Sequence, residues 1–290
     1  MEVHRRHAPV AVDPAFEDIF RQAAHAMVAG LARVPVHVIG LGAGGGAKEA
    51  MVLKALFEAG FTVRYTPVDV GMELALASAQ AASPFLRTPV QPVVADLRAL
   101  PRDGGWLGAG ADEEVRVVTA FGLLPNFLPG EIFPLLRGVL RAGDRLLVSA
   151  NLAGGGSGQP GLAGFDPYRE ACAKIIPQYD NEETARWLRQ VLVEWGVETR
   201  LGPVVFDLEN IDDIWAVCAR CAWLKTGLFG WEGSPLSVLA GDRVQLFFSL
   251  RYTAGIVLKK LNEVGLRPLS QFLTPCQQEG VWTADCSGEE

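Results

Sequence analysis

One stretch limits what this chain can become. The apolar run Val36–Leu41 passes into a glycine cluster, Gly40, Gly42, Gly44, Gly45 and Gly46, and an amphipathic segment follows from Lys48 to Ala59. That order predicts a strand, a tight turn and a helix. Glycines allow positive φ in such a turn and let backbone N–H groups come close to a ligand. The start of the helix adds unpaired donors and a partial positive charge. Gly40, Gly42 and Gly45 fit G-x-G-x-x-G, while Gly40, Gly42 and Gly44 fit G-x-G-x-G. The glycines therefore leave two ligands open, a dinucleotide pyrophosphate and the amino-acid end of S-adenosylmethionine. A turn without a ligand is the third reading.

The segments after the turn repeat the pattern. Thr62–Val68 alternates β-branched and aromatic residues and reads as a second strand that ends at Asp69. An acidic side chain at that tip is where doubly wound folds hold ribose hydroxyls. The alternative is a turn or helix-capping aspartate. A helix is expected over Met72–Ala82, a third strand over Gln91–Ala95 ending at Asp96, and a nearly all-apolar strand over Val115–Phe121. Pro129–Leu140 reads as a helix and Arg145–Ala150 as a fifth strand. This alternation predicts an α/β, doubly wound, mostly parallel sheet. Ligands then belong at the carboxyl ends of its strands, which puts the glycine turn, Asp69, Asp96, Phe121–Asn126 and Asn151 on one rim.

The flanking regions are less regular. Phe16, Phe20, Ala24, Met27 and Leu31 recur at helical spacing in an N-terminal arm, residues 1–33, with Asp13 and Pro14 as its start. His4 and His7 read as part of a mobile terminus, with capping of a site as the alternative. His37 reads as a core residue of the first strand. Asp103–Ala111 is a glycine-rich loop, and Gly154–Gly164 is either a lid or a linker. Helix is expected over Glu170–Trp195, and strands over Val204–Leu208, Ile214–Leu224 and Arg243–Leu250. Thr253–Val264 follows as a helix, with strand material at Pro268–Thr274 and Gly280–Ala284. The domain plan is thus an arm at 1–33, a cofactor-binding core at 34–153, an accessory α+β substrate region at 154–242, and a return to the core sheet at 243–290.

Composition narrows the class of partner. Hydrophobic residues make up 49% and charged ones 20%, enough to bury a core. The net charge of −7 and the lack of a dense basic run disfavour nucleic acid. With no long apolar span and no signal-peptide pattern, a cytoplasmic protein without membrane contact is expected. Five cysteines, an odd number, suggest reduced thiols. Cys218-Ala219-Arg220-Cys221 is a C-x-x-C pair without a second pair or a nearby histidine, so structural cysteines are expected and no metal.

Several segments together resemble the histidine-specific methyltransferase family, which makes trimethylhistidine from S-adenosylmethionine. They are Leu41-Gly42-Ala43-Gly44 with Lys48, Thr66-Pro67-Val68-Asp69-Val70, Phe121 through Asn126-Phe127, Leu140–Leu147, and Ser249-Leu250-Arg251-Tyr252-Thr253. The resemblance runs over about residues 34–284. It implies a class I, Rossmann-like methyltransferase sheet, with S-adenosylmethionine as cofactor and a small-molecule methyl acceptor. It places Gly42, Gly44 and Lys48 around the methionine moiety, Asp69 on the ribose, Asp96 and Leu97 at the adenine, and Phe121 on the cofactor side. Asn126, Tyr179, Asp180, Phe247, Ser249 and Tyr252 are then expected to face the acceptor, with Asn126, Tyr179 and Tyr252 nearest the chemistry. Tyr179 and Tyr252 have packing as their alternative role, and Phe247 has the core as its alternative, with Leu246 or Phe248 lining the pocket instead.

The departures fall mostly on the acceptor side. The family usually has an acid at the end of strand one, where this chain has Gly40, and an acid two positions before the serine, where it has Phe247. Its N-terminal substrate segment is shortened here to one arm, and the part after Tyr179-Asp180 is shorter. Free histidine is therefore not the expected acceptor, and N- or O-methylation both stay open. Methyl transfer from a sulfonium needs chiefly alignment, exclusion of water and an unprotonated nucleophile. A nicotinamide-dependent oxidoreductase and a non-catalytic S-adenosylmethionine-binding protein remain the competing readings.

Overall fold

The computed structural model describes residues 13–101, 105–107, 114–154, 166–231 and 234–286. They form two compact units, one of residues 13–152 with 252–286 and the other of 153–251.

The first unit is built on a seven-stranded sheet. Its strands are β1 (Val36–Leu41), β2 (Val63–Asp69), β3 (Val93–Val94), β4 (Val115–Ala120), β5 (Arg145–Asn151), β11 (Leu266–Leu273) and β12 (Glu279–Cys286), in the order β11-β12-β5-β4-β1-β2-β3. The pairs β5–β4, β4–β1, β1–β2 and β2–β3 are parallel, and β12 runs antiparallel between β5 and β11. Every residue of β1 is buried, as a central strand covered on both faces requires. The helices of this unit are α1 (Pro14–Ala29), α2 (Ala47–Glu58), α3 (Met72–Ala82), α4 (Pro129–Val139) and α7 (Ala254–Glu263). These elements match the expected doubly wound class.

The N-terminal helix is not an arm of its own. Asp13 caps it by accepting from the Ala15 N–H at 2.9 Å, and Ile19, Phe20, Ala23, Ala24 and Met27 are buried in the same core as Val36, Val38, Leu53 and Val117. Five apolar side chains on one face of a helix gain too much from burial to stay in water.

The second unit holds α5 (Pro167–Ala173), α6 (Glu182–Glu194), the antiparallel sheet β10-β7-β6 and the hairpin of β8 (Gly227–Trp231) with β9 (Ser234–Val238). Strands β6, β7 and β10 span Val205–Ile211, Ile214–Ala222 and Arg243–Leu250. Three expectations are corrected here. The single helix over 170–195 is interrupted by a 3₁₀ turn at Ile176–Gln178, because Pro177 cannot donate to a continuing helix. Asn181 then restarts the helix by accepting from the Thr184 N–H at 2.9 Å. Strand β10 does not begin the return to the core sheet: it pairs with β7, from Arg243 opposite Ala222 to Leu250 opposite Ala216, and the return starts at Tyr252. The hairpin β8–β9 was not expected, since Gly227, Gly230 and Pro235 weaken its strand signal.

Cys218 and Cys221 are buried on β7, and burial pushes the Cys218 thiol up to about 11. Residues three apart on a strand face opposite sides, so the pair is not set up to grip one ion.

Candidate active site

The glycine turn joins β1 to α2 in the first unit. Gly42 has φ +58°, and a Cβ there would stand 2.4 Å from Leu123 Cδ2. Only glycine meets both conditions. The turn is anchored from β2: Ala43 N–H donates to the Val68 carbonyl at 3.1 Å, and Gly44 N–H donates to Asp69 Oδ2 at 2.9 Å. Asp69 Oδ1 accepts from Gly71 N–H, also at 2.9 Å. The Asp69 carboxylate thus fastens the turn to the carboxyl end of β2, and each oxygen keeps a lone pair for a further donor.

Beneath the turn lies a second carboxylate. Glu49, in the first turn of α2, is 2% exposed. Burial pushes its acid up to about 7, a backbone N–H and Lys48 pull it back, and the Asp69 charge adds to the rise. A Cβ at position 40 would meet Glu49 Cγ at 3.3 Å and the Tyr65 hydroxyl at 2.7 Å. That hydroxyl shares a hydrogen bond of 2.8 Å with Ser78 on α3. The family's acid at the end of strand one would therefore have no room here.

The other expected residues of this unit are spread around the rim or below it. Asp96 is exposed and closes a turn, accepting from the Arg98 N–H at 2.9 Å, while Leu97 is buried. Asn126 is exposed at the end of a 3₁₀ turn, and its amide donates to the Gly122 carbonyl at 3.1 Å. Tyr252 is fully buried; its hydroxyl donates to the Leu124 carbonyl at 3.4 Å, and burial raises its pKa. It supports the turn that carries Asn126. Phe121 packs edge-on against Phe20 at 5.2 Å, and Lys48 Nζ lies over the rings of Phe20 and Phe16 at 4.5 and 5.1 Å. Both side chains contact α1 in this structure.

His37 sits in β1 with Nε2 2.8 Å from Thr66 Oγ1, and Nδ1 is 3.6 Å from Glu114. Burial, helped by Arg64, pushes it down to about 4, so it is neutral at pH 7. His4 and His7 lie outside the described residues, as does most of Asp103–Ala111 and Gly154–Gly164. Among the described residues no group of three or more His, Cys, Asp or Glu is placed to hold a metal ion, and no helix is long and apolar enough to cross a membrane.

In the second unit, Tyr179, Phe247 and Ser249 meet. The Tyr179 and Phe247 rings are 5.4 Å apart, and the Tyr179 hydroxyl lies 3.4 Å from Ser249 Oγ. Arg251 joins them from the same strand face: its Nη2 donates to the Tyr179 hydroxyl and its Cζ lies 5.3 Å from the Tyr179 ring centre. The Tyr168 hydroxyl donates to the Arg251 carbonyl, and Arg251 N–H donates to the Trp215 carbonyl at 2.8 Å. Asp180 is exposed just beyond Tyr179.

Glu49 and Arg251 are polar residues to which the sequence pattern assigns no role, although Arg251 lies in the Ser249–Thr253 segment. Glu49 looked like an ordinary charge in a helix's first turn. Arg251 had a legible signal, since 247, 249 and 251 share one face of an extended strand.

A parallel sheet with β12 inserted antiparallel beside β5, a glycine turn after β1 and a carboxylate at the tip of β2 define a class I S-adenosylmethionine-dependent methyltransferase. The profile of the histidine-specific, SAM-dependent methyltransferases matches residues 17–212, and the chain belongs to that family. The match starts inside α1 and stops before β7, so Phe247, Ser249 and Tyr252 lie beyond it. No curated protein sequence matches the chain. Among solved structures, a possible exported protein from Bordetella parapertussis is similar at 14% identity and a TM-score of 0.46, over 92% of this chain. The chain spans 66% of that protein's length. The amino pentose methyltransferase CalS10 from Micromonospora echinaspora is similar at 13% identity and 0.45, over 99% of this chain and 98% of its own. The magnesium protoporphyrin IX methyltransferase from Synechocystis is similar at 14% and 0.41, over 98% and 92%.

Proposed function

We propose that this protein transfers a methyl group from S-adenosylmethionine to a small molecule that presents no free ammonium group to the Phe247 side chain. When bound, the cofactor supplies an activated methyl group on a sulfonium. The glycine turn leaves it room: a Cβ at Gly45 would have no atom within 4 Å, while the N–H groups of Ala43, Gly44 and Gly46 are held within the protein. Asp69 keeps acceptor capacity for ribose hydroxyls. In this reading Gly42 and Gly44 receive the methionine end, Asp69 the ribose, and Asp96 with Leu97 the adenine. Asn126 orients the acceptor, and Tyr252 is a positioning residue beneath it.

The observation that carries the acceptor reading is the Tyr179–Phe247 contact at 5.4 Å. An aromatic ring stands where the family pattern has a carboxylate to grip a cationic amino group. A buried ammonium without that counter-charge is costly to desolvate, and a ring returns only about 0.5–2 kcal/mol of cation–π attraction.

The test has two parts. Calorimetry should show binding of S-adenosylhomocysteine and none of NAD or NADP; the reverse result defeats the methyltransferase reading. Methyl transfer should then be assayed with L-histidine beside aromatic, amide, hydroxyl and acidic small molecules. Efficient trimethylation of histidine would defeat the acceptor reading.

A further inference from the structure

Arg251 is 3% exposed, and among the described residues it takes part in no ion pair. Its Nε is buried and has no hydrogen-bond partner among the described residues. Its Nη2 donates to a neutral phenol, the Tyr179 hydroxyl. Asp166, which caps α5, is engaged by the N–H groups of Tyr168 and Arg169 and by the Trp215 indole at 3.0 Å. Guanidinium does not lose its proton in proteins, so the charge stays. Removing a cation from water without an anion beside it is costly.

Phe247, Ser249 and Arg251 face one side and all meet Tyr179. An acid at 247 would share this wall with the arginine and offset its charge. With phenylalanine there the wall carries one net positive charge, flanked by two hydroxyls and a ring. We infer that Arg251, with Tyr179 and Ser249, is a recognition site for an oxyanion, a carboxylate or phosphate carried by an aromatic methyl acceptor. This rests on the acceptor reading above and extends it from the exclusion of a cation to the choice of an anion. Guanidinium offers paired donors that suit either oxyanion, and the unpartnered Nε is one of them.

The test reads binding. The intact protein, saturated with S-adenosylhomocysteine, is titrated by ligand-observed NMR with benzoate, phenyl phosphate, benzamide and benzylamine. Benzoate or phenyl phosphate should bind about tenfold or more tightly than benzamide and benzylamine, and the tighter of the two identifies the oxyanion. Arg251→Met should reduce that anion to the level of benzamide. Phe247→Glu, which leaves Arg251 in place, should do the same by restoring a competing carboxylate. Equal binding of benzoate, phenyl phosphate and benzamide by the parent protein, or no saturable binding of either anion, overturns the inference. So does a preference that survives in folded Arg251→Met protein. The ratio in the parent protein decides the matter even where a variant fails to fold. Because no turnover is needed, failure of methyl transfer would count against the proposed function and leave this ratio standing.

Discussion

Gly40 and Tyr65 sit on adjacent parallel strands, and a Cβ at Gly40 would stand 2.7 Å from the Tyr65 hydroxyl oxygen. That hydroxyl is held by Ser78 at 2.8 Å. The end of strand one is thus closed to any larger side chain by a tyrosine fixed from α3. The missing acid of the family pattern and the presence of Tyr65 are one structural fact.

Gly40→Asp should therefore destabilise the protein by about 1–3 kcal/mol, the usual cost of overpacking a fitted site. Tyr65→Phe, combined with it, should recover part of the loss, because the clashing atom is the hydroxyl oxygen. Urea denaturation of the two single variants and the double variant measures the coupling. A Gly40→Asp protein as stable as its parent would contradict this account.

Asp69→Ala should weaken S-adenosylhomocysteine binding by about 1.5–3 kcal/mol, the range for hydrogen bonds to a charged group. It should also lower the unfolding free energy, because the N–H groups of Gly44 and Gly71 lose their acceptor. Calorimetry and denaturation together check both effects. Unchanged affinity with lowered stability would show that Asp69 serves the turn alone.

Glu49 and His37 predict opposing pH dependences. Burial holds the Glu49 acid up to about 7 against an ordinary 4.5. Between those pH values the native state keeps a proton that the unfolded chain has released, so stability falls as pH rises through the window. His37, pushed down to about 4 from 6.5, does the reverse: the unfolded chain takes up the extra proton, and stability rises with pH between those values. Glu49→Gln should remove the falling contribution and leave the rise from His37. Above pH 7 the variant should be more stable than the parent by up to about 3 kcal/mol. Denaturation midpoints from pH 4 to 8 test this, and parallel curves for the two proteins would refute it.

The core of the fold was legible because its signals are local. An apolar run before clustered glycines, an acid after each of the next two strands, and helical spacing between them specify a doubly wound sheet. The family resemblance rested on the same segments. Asp13 and Pro14 likewise marked the start of α1, though nothing local showed that its apolar face joins the main core.

What the sequence determined by itself was the class of fold, the position of the glycine turn, and the absence of an acid at positions 40 and 247. Which groups stand beside them depends on packing between segments far apart in the chain. Glu49 reads as a solvated helix charge until Gly40 is seen to leave it space under the turn. Strand β10 could have paired with either sheet, since its own residues carry no register, and its pairing with β7 is what carries Phe247, Ser249 and Arg251 to Tyr179. Tyr179 is 68 or more residues away along the chain, and contacts over such separations depend on packing that no local pattern encodes.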